Sequence, residues 1–74
     1  MKDVMEYLVV IERAADGSFS AYVPDLPGCV SCGETEAEVR QLIAEAVTLH
    51  IEALREQGEP VPPPKATSHV VRAA

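Results

Sequence analysis

One short segment, residues 24–35, constrains the fold of this chain more than any other. Its first part is a turn made of Pro24, Asp25, Leu26, Pro27 and Gly28. The two prolines fix φ and lack a backbone N–H, while the glycine permits left-handed conformations, so the chain must turn sharply here. A short strand is predicted to follow at residues 29–32. The segment therefore joins a β-hairpin on its amino-terminal side to a helix on its carboxyl-terminal side.

One long helix is predicted at residues 36–57. Gly33 precedes its start, and Thr35 with Glu38 matches the Ser/Thr-x-x-Glu capping box, in which each side chain satisfies a free backbone amide. Gly58 supplies a stop signal at the other end.

The apolar side chains of this helix form a stripe at 100° per residue. The stripe consists of Val39, Leu42, Ile43, Ala46, Val47, His50 and Leu54. Leu49 and Ile51 flank it and widen it to roughly half the circumference, more than one sheet face usually covers. This width indicates a subunit contact.

The first predicted strand spans residues 5–14 and ends before Asp16-Gly17, a strong hairpin-turn signal. The second, at residues 18–23, pairs antiparallel with it. Period-two counting places apolar side chains on both faces of the first strand, with Tyr7, Val9 and Ile11 on one and Leu8 and Val10 on the other. Because one helix covers only one face of a sheet, the second face must be buried by something else. Self-association is the economical answer.

The connector after the helix contains four prolines and cannot continue the helix. A final short strand is predicted at residues 68–72. A right-handed crossover would place it beside strand one and parallel to it, which gives the sheet order 3-2-1-4. The predicted fold is therefore α+β, a single domain over residues 1–74 with a three-stranded antiparallel sheet, one long helix on one face and a fourth strand.

Charge and length narrow the function classes. Twelve acidic against six basic side chains give a net charge of -6, which disfavours nucleic-acid binding and fits a basic protein partner. No apolar run approaches the roughly 20 residues that span a bilayer, and no signal-peptide block follows Met1, so a cytoplasmic location is expected. A 74-residue chain buries a marginal core, which again favours help from a second subunit.

Four groups of residues together resemble the HicB-like antitoxin family. They are Asp16-Gly17, Tyr22-Val23-Pro24-Asp25-Leu26-Pro27-Gly28-Cys29, Ser31-Cys32-Gly33-Glu34-Thr35 and Gly58-Glu59-Pro60-Val61-Pro62. The resemblance covers nearly the whole chain and implies a partial ribonuclease-H-like fold. It also implies a partner, a small basic HicA-type toxin that degrades messenger RNA and is blocked by binding. Many family members carry a C-terminal DNA-binding module; this chain is expected to resemble only their toxin-neutralising part.

The cysteines and histidines are weaker candidates for functional sites. Cys29 and Cys32 show the C-x-x-C spacing of redox and zinc sites, and His50 and His69 could nominally complete four ligands. Residues three apart on a strand point to opposite faces, so we expect small buried strand residues instead. His50 lies in the apolar stripe, where a core or interface histidine is expected. The Asp25 carboxylate is expected to bond to nearby backbone amides as an Asx-turn, with contact to a basic partner as the alternative.

Enzyme activity is not expected. A ribonuclease-H-like active site needs carboxylates that converge on two metal ions, whereas Glu6 and Glu12 stand roughly 20 Å apart along an extended strand. We therefore predict no catalytic, metal or cofactor site. The leading hypothesis is an antitoxin that self-associates as a dimer or tetramer, with Leu8, Val10, Leu49 and Ile51 as candidate interface residues. The alternatives are a solitary oligomeric interaction domain and, third, a metal-dependent nuclease.

Overall fold

The computed structural model describes residues 5–74. Within them lie three strands and one helix, β1 (Val10–Arg13), β2 (Phe19–Tyr22), β3 (Val30–Gly33) and α1 (Glu36–Glu56). The strands form one antiparallel sheet in the order β1-β2-β3, and α1 packs on one of its faces, chiefly against β3 and β2. This confirms the predicted α+β class, the three-stranded antiparallel sheet and the single long helix.

The first strand is shorter than predicted. Its ladder runs from the pair Val10–Tyr22 to the pair Arg13–Phe19. The Val23 amide donates to the Cys29 carbonyl at 3.2 Å, on the β3 side, and the next residue, Pro24, has no N–H to offer β1. Residues 5–9 therefore have no strand partner among the described residues, although the prediction placed them in a strand.

The hydrophobic core lies between the sheet and α1. Partly buried side chains from residues 7–11 of the chain and from the last turns of α1 surround it. Its fully buried members are Ala21, Val23, Leu26, Cys29, Val39 and Ile43. Leu26 comes from the proline-rich turn and is 0% exposed, so the turn is anchored in the core. Amide-to-carbonyl bonds from Leu26 to Val23 and from Cys29 to Leu26, each 3.0 Å, complete this anchor.

The start of α1 has the predicted capping box. The Thr35 hydroxyl accepts from the Glu38 amide at 3.1 Å, and the Glu38 carboxylate accepts from the Glu34 amide at 2.8 Å. A Cβ on Gly33 would lie 2.9 Å from the Glu38 carboxylate and 3.0 Å from the Val39 backbone nitrogen. Glycine at position 33 is thus required by the close approach of the cap.

The chain after α1 does not return to the sheet as a strand. Residues 68–72 form no strand in this chain, so the predicted fourth strand and the order 3-2-1-4 are absent here. The connector is held by hydrogen bonds to Tyr7 and Asp25, and beyond it the Val70 and Val71 side chains are exposed and not packed on the sheet. The radius of gyration, 14.0 Å, exceeds the about 11 Å expected for a compact chain of this length.

Candidate protein-binding surfaces

No helix or strand among residues 5–74 covers the face of the sheet opposite α1. Because side chains alternate along each strand, the ladder aligns Val10, Tyr22 and Val30 in one row across all three strands. Leu8 continues the row toward the start of β1, and Val30 is 64% exposed. We call these four residues the open sheet face. It contains the predicted interface residues Leu8 and Val10, and it is apolar as the sequence pattern indicated.

Two carboxylates border the open sheet face along the first strand. Glu6 and Glu12 have the same parity as Leu8 and Val10, and both are exposed. The two carboxylates lie at opposite ends of the apolar row and do not converge.

A second exposed apolar surface lies on α1. The helix is rotated relative to its predicted stripe, because Ile51 packs against the core while Leu42 is exposed. Leu49 is 65% exposed on the same side as Leu42. Beside these two leucines runs a row of exposed glutamates, placed on one flank by helical spacing: Glu38, Glu45, Glu52 and Glu56. We call this row with the two leucines the acidic flank.

The two basic residues of α1 lie at different distances from the acidic flank. Helical spacing puts Arg40 on the far side of the helix, near Ile51, whereas Arg55 follows Glu52 by three residues and borders the end of the flank. Arg40 is paired with Glu36 at 2.6 Å. From Glu38 to Glu52 the acidic flank therefore combines apolar side chains with negative charge.

Asp25 holds the connector instead of its own turn. One carboxylate oxygen accepts from the backbone amides of Lys65 and Ala66, each at 2.9 Å. The predicted local Asx-turn at Asp25 is wrong, since both donors lie forty residues further along the chain. An Asx-turn does form at Asp16, whose carboxylate accepts from the Ser18 amide at 2.9 Å.

Tyr7 fixes the connector at a second point. Its hydroxyl donates to the Pro62 carbonyl. Burial, followed by the nearby Asp25 carboxylate, raises the pKa of the Tyr7 phenol, because both disfavour the phenolate. Tyr7 and Asp25 together tie residues 62–66 to the end of the sheet where β1 begins.

The tail beyond this attachment is exposed. Val70 is 91% and Val71 73% exposed. Near the attachment, a groove between the β1 edge and α1 is left open, lined by Val9, Ile11, Arg40, Ile43 and Ala44. The structure thus places an unoccupied groove and an uncovered apolar tail in the same chain.

The two cysteines occupy different environments. Cys29 is buried, and burial raises the pKa of its thiol, whereas Cys32 is exposed on β3. The prediction that both are buried is wrong for Cys32, while the opposite orientation of the two is as predicted. His50 is half-buried on α1 and His69 is exposed in the tail. Among residues 5–74, no three His, Cys, Asp or Glu side chains are grouped closely enough to hold a metal ion.

Sequence reasoning missed the contributions of Tyr22, Val30 and Leu42 to the exposed surfaces, and of Lys65 and Ala66 to the connector. The strand register depends on the loop length: a two-residue turn at Asp16-Gly17 would pair Val10 with Val23, whereas the observed three-residue loop, residues 15–17, pairs Val10 with Tyr22. Nothing in the sequence signals the amide contacts of Lys65 and Ala66, because any residue other than proline offers the same amide. In the part of the chain described, no helix is long and apolar enough to cross a membrane.

Comparison with known proteins gives a consistent result. Residues 7–74 match the family described as HicB_like antitoxin of bacterial toxin-antitoxin system. The UPF0150 protein ssr1765 of Synechocystis is 43% identical over 61 residues, which cover 82% of this chain and 77% of that protein. The UPF0150 protein Ta0767 of Thermoplasma acidophilum is 38% identical over 69 residues, covering 93% of this chain and all of that protein.

Two solved structures share the fold. The N-terminal domain of the Burkholderia pseudomallei antitoxin HicB superposes with a TM-score of 0.71 at 32% identity, covering 80% of this chain and 69% of that one. A chain of the HicA3 and HicB3 toxin-antitoxin complex superposes with a TM-score of 0.68 at 41% identity, covering 81% and 70%. The match over residues 7–74, together with these relatives, shows that this chain belongs to the HicB-like antitoxin family.

Proposed function

We propose that this protein is a non-enzymatic antitoxin that binds and neutralises a small basic HicA-type toxin, one that degrades messenger RNA. The observation that carries the proposal is the likeness to a chain of the HicA3 and HicB3 toxin-antitoxin complex, at 41% identity and a TM-score of 0.68. A TM-score of 0.68 at this identity supports a shared fold. The net charge of -6 supports a basic partner.

The acidic flank is the surface that fits such a toxin best. It offers Leu42 and Leu49 as apolar contacts and a row of glutamates for the basic rim of a partner. Leu49 was a candidate for self-association, but a second copy packed there would bring glutamates against glutamates. A basic toxin brings the opposite charge to the same row.

Self-association, as a dimer or tetramer, is proposed for the opposite side of the molecule. Leu8 and Val10 lie on the open sheet face, which α1 does not reach. Ile51 lies on the side of α1 that faces away from the acidic flank and is partly packed on the core. The two functions then use separate surfaces, so an oligomer can bind toxin on its outside.

Co-expression with the small basic protein encoded beside it tests the proposal. Induction of that protein alone should arrest growth, and this chain should restore growth and co-purify with the tagged toxin. An isolated nuclease assay with Mg²⁺ or Mn²⁺ should show no RNA cleavage by this chain. Failure of the purified pair to associate contradicts the antitoxin function.

The alternative is a solitary oligomeric interaction domain of the same fold without a toxin partner. The open sheet face favours it, since an uncovered apolar row needs only a second copy. A neighbouring toxin gene whose product binds this chain excludes the alternative. Oligomer formation in the absence of any toxin-like neighbour supports it.

A further inference from the structure

The outer edge of β1 lacks a partner strand among residues 5–74. β1 is the first strand of the sheet order, and residues 5–9 before it take part in no ladder within the described part of the chain. Such an edge presents a row of unpaired N–H and C=O groups that accepts another strand.

The surroundings of this edge are apolar on both faces of the sheet. On the helix side lies the open groove, where Val9 and Ile11 face Ile43 and Ala44. On the other side lie Leu8 and Val10 of the open sheet face. A strand added here must therefore carry an apolar side chain on each of its faces.

The tail has that pattern. Val70 and Val71 are adjacent, so in an extended strand they point to opposite faces, and both are β-branched residues that favour strands. They are also 91% and 73% exposed, which leaves their apolar surface in water unless another chain covers it.

The attachment of the connector directs the tail away from its own sheet. The Asp25 carboxylate binds the amides of Lys65 and Ala66, and three consecutive prolines stiffen the segment before them. Beyond this attachment the Val70 and Val71 side chains stay exposed, and the radius of gyration, 14.0 Å, is that of an elongated chain. A short stiff connector that prevents an element from folding back favours its exchange with a second copy.

We propose that residues 68–72 form an arm that adds to the β1 edge of a second copy, while the arm of that copy adds to this one. This inference rests on the self-association proposed above and names its structural element. A two-fold dimer uses each arm and each edge once, so the assembly closes. The arm then occupies, from another chain, the position predicted for the fourth strand.

The open sheet face alone is small for a stable dimer. A standard interface buries about 800 Å² per partner, whereas three strands at about 4.8 Å spacing span only roughly 10 Å between the outer strand axes. An exchanged arm adds backbone pairing, fills the groove and continues the apolar row at its β1 end. The second copy is thus the occupant that uses all of these features together.

Sedimentation equilibrium at micromolar concentration tests the arm. The full chain should be a dimer, and a chain truncated after Thr67 should be monomeric. Because truncation could disturb folding, the full-length pair Val70→Ser and Val71→Ser is measured beside it, with helix content checked by circular dichroism. We expect this pair to weaken dimerisation at least about tenfold. The matched control, truncation after Arg72, should leave the dimer intact.

Hydrogen exchange locates the contact. The amides of residues 5–9 should be protected in the full chain and exchange freely after truncation at Thr67. A truncated chain that dimerises as well as the full chain overturns the arm while leaving self-association in place. A full chain that is monomeric at micromolar concentration overturns both. Toxin co-purification is scored separately and does not depend on either result.

Discussion

One carboxylate oxygen of Asp25 helps to hold the connector at the end of the sheet, so replacing Asp25 tests this contact. In Asp25→Ala the amides of Lys65 and Ala66 lose their acceptor, whereas Asp25→Asn keeps an amide oxygen without the charge. We expect the alanine variant to lose about 1–2 kcal/mol of unfolding free energy, and the asparagine variant less. Denaturant unfolding measures the loss, and hydrogen exchange should show both amides unprotected in Asp25→Ala.

A matched control for this variant is Asp16→Ala, which removes the carboxylate of the hairpin turn but leaves the connector alone. Lys65 and Ala66 should keep their protection in it. Equal exchange of these two amides in wild type and Asp25→Ala contradicts the role of Asp25.

Tyr7 makes stability sensitive to alkaline pH. Its pKa is raised in the folded chain above the model-compound value of 10.0, chiefly by burial. A group with a raised folded pKa contributes stability that is complete below its unfolded pKa and is lost as pH rises through the folded one. The unfolding free energy of the wild type should therefore fall above about pH 10. At neutral pH the unfolding free energy of Tyr7→Phe should be about 1 kcal/mol lower, because the variant lacks the hydrogen bond to the Pro62 carbonyl. Above about pH 10 its unfolding free energy should fall less steeply than that of the wild type.

Urea unfolding at neutral pH and near pH 10.5 compares the two proteins in this window. Cys29, whose buried thiol also has a raised pKa, contributes equally to both, so the difference between them isolates Tyr7. Parallel loss of stability in wild type and Tyr7→Phe would show that the phenol is not responsible.

At the scale of elements, the acidic flank of α1 should determine toxin affinity. The double change Glu45→Gln and Glu52→Gln removes two charges from exposed positions, so folding should be unaffected while toxin binding weakens about tenfold or more. Leu49→Ala should weaken binding as well, without creating a cavity, since the side chain is largely exposed. Titration calorimetry with the proposed HicA-type toxin measures both.

The open sheet face supplies the matched control. Glu6→Gln with Glu12→Gln removes the same charge from the other exposed apolar surface. This pair should bind toxin as wild type does. If the control pair loses affinity and the Glu45 and Glu52 pair does not, the toxin site belongs on the open sheet face.

The elements themselves were predictable from sequence where local chemistry decides them. The capping box at Thr35 and Glu38 placed the start of α1 at the observed residue, and Asp16-Gly17 placed the hairpin. The extent of β1 was not predictable from its own residues, because it depends on where β2 stops donating backbone hydrogen bonds to it. The rotation of α1, which buries Ile51 and exposes Leu42, depends on packing against the sheet and cannot be read from helical spacing alone.

The missing fourth strand also shows that local sequence does not determine contacts between distant parts of the chain. The β-branched pair Val70 and Val71 favours a strand as a local preference, but the structure has no strand at residues 68–72. The contact of Asp25 with the Lys65 amide, which holds the connector, joins residues forty positions apart and leaves no mark in the sequence.

At the scale of the whole molecule, net charge gives opposite salt dependences to the two proposed associations. Each copy carries a net charge of -6, so self-association works against repulsion, whereas binding of a basic toxin is helped by attraction. Raising ionic strength from about 0.1 M to 1 M shortens the Debye length from roughly 10 Å to 3 Å and screens both effects. The dimer should therefore tighten with added salt, while toxin affinity falls, chiefly through a slower association rate.

Sedimentation equilibrium for the dimer and stopped-flow kinetics for the toxin complex measure the two trends on one preparation. A dimer that weakens with salt would mean that ion pairs, not the apolar arm and sheet face, hold the copies together, and Arg40 and Arg72 would be the first side chains to replace.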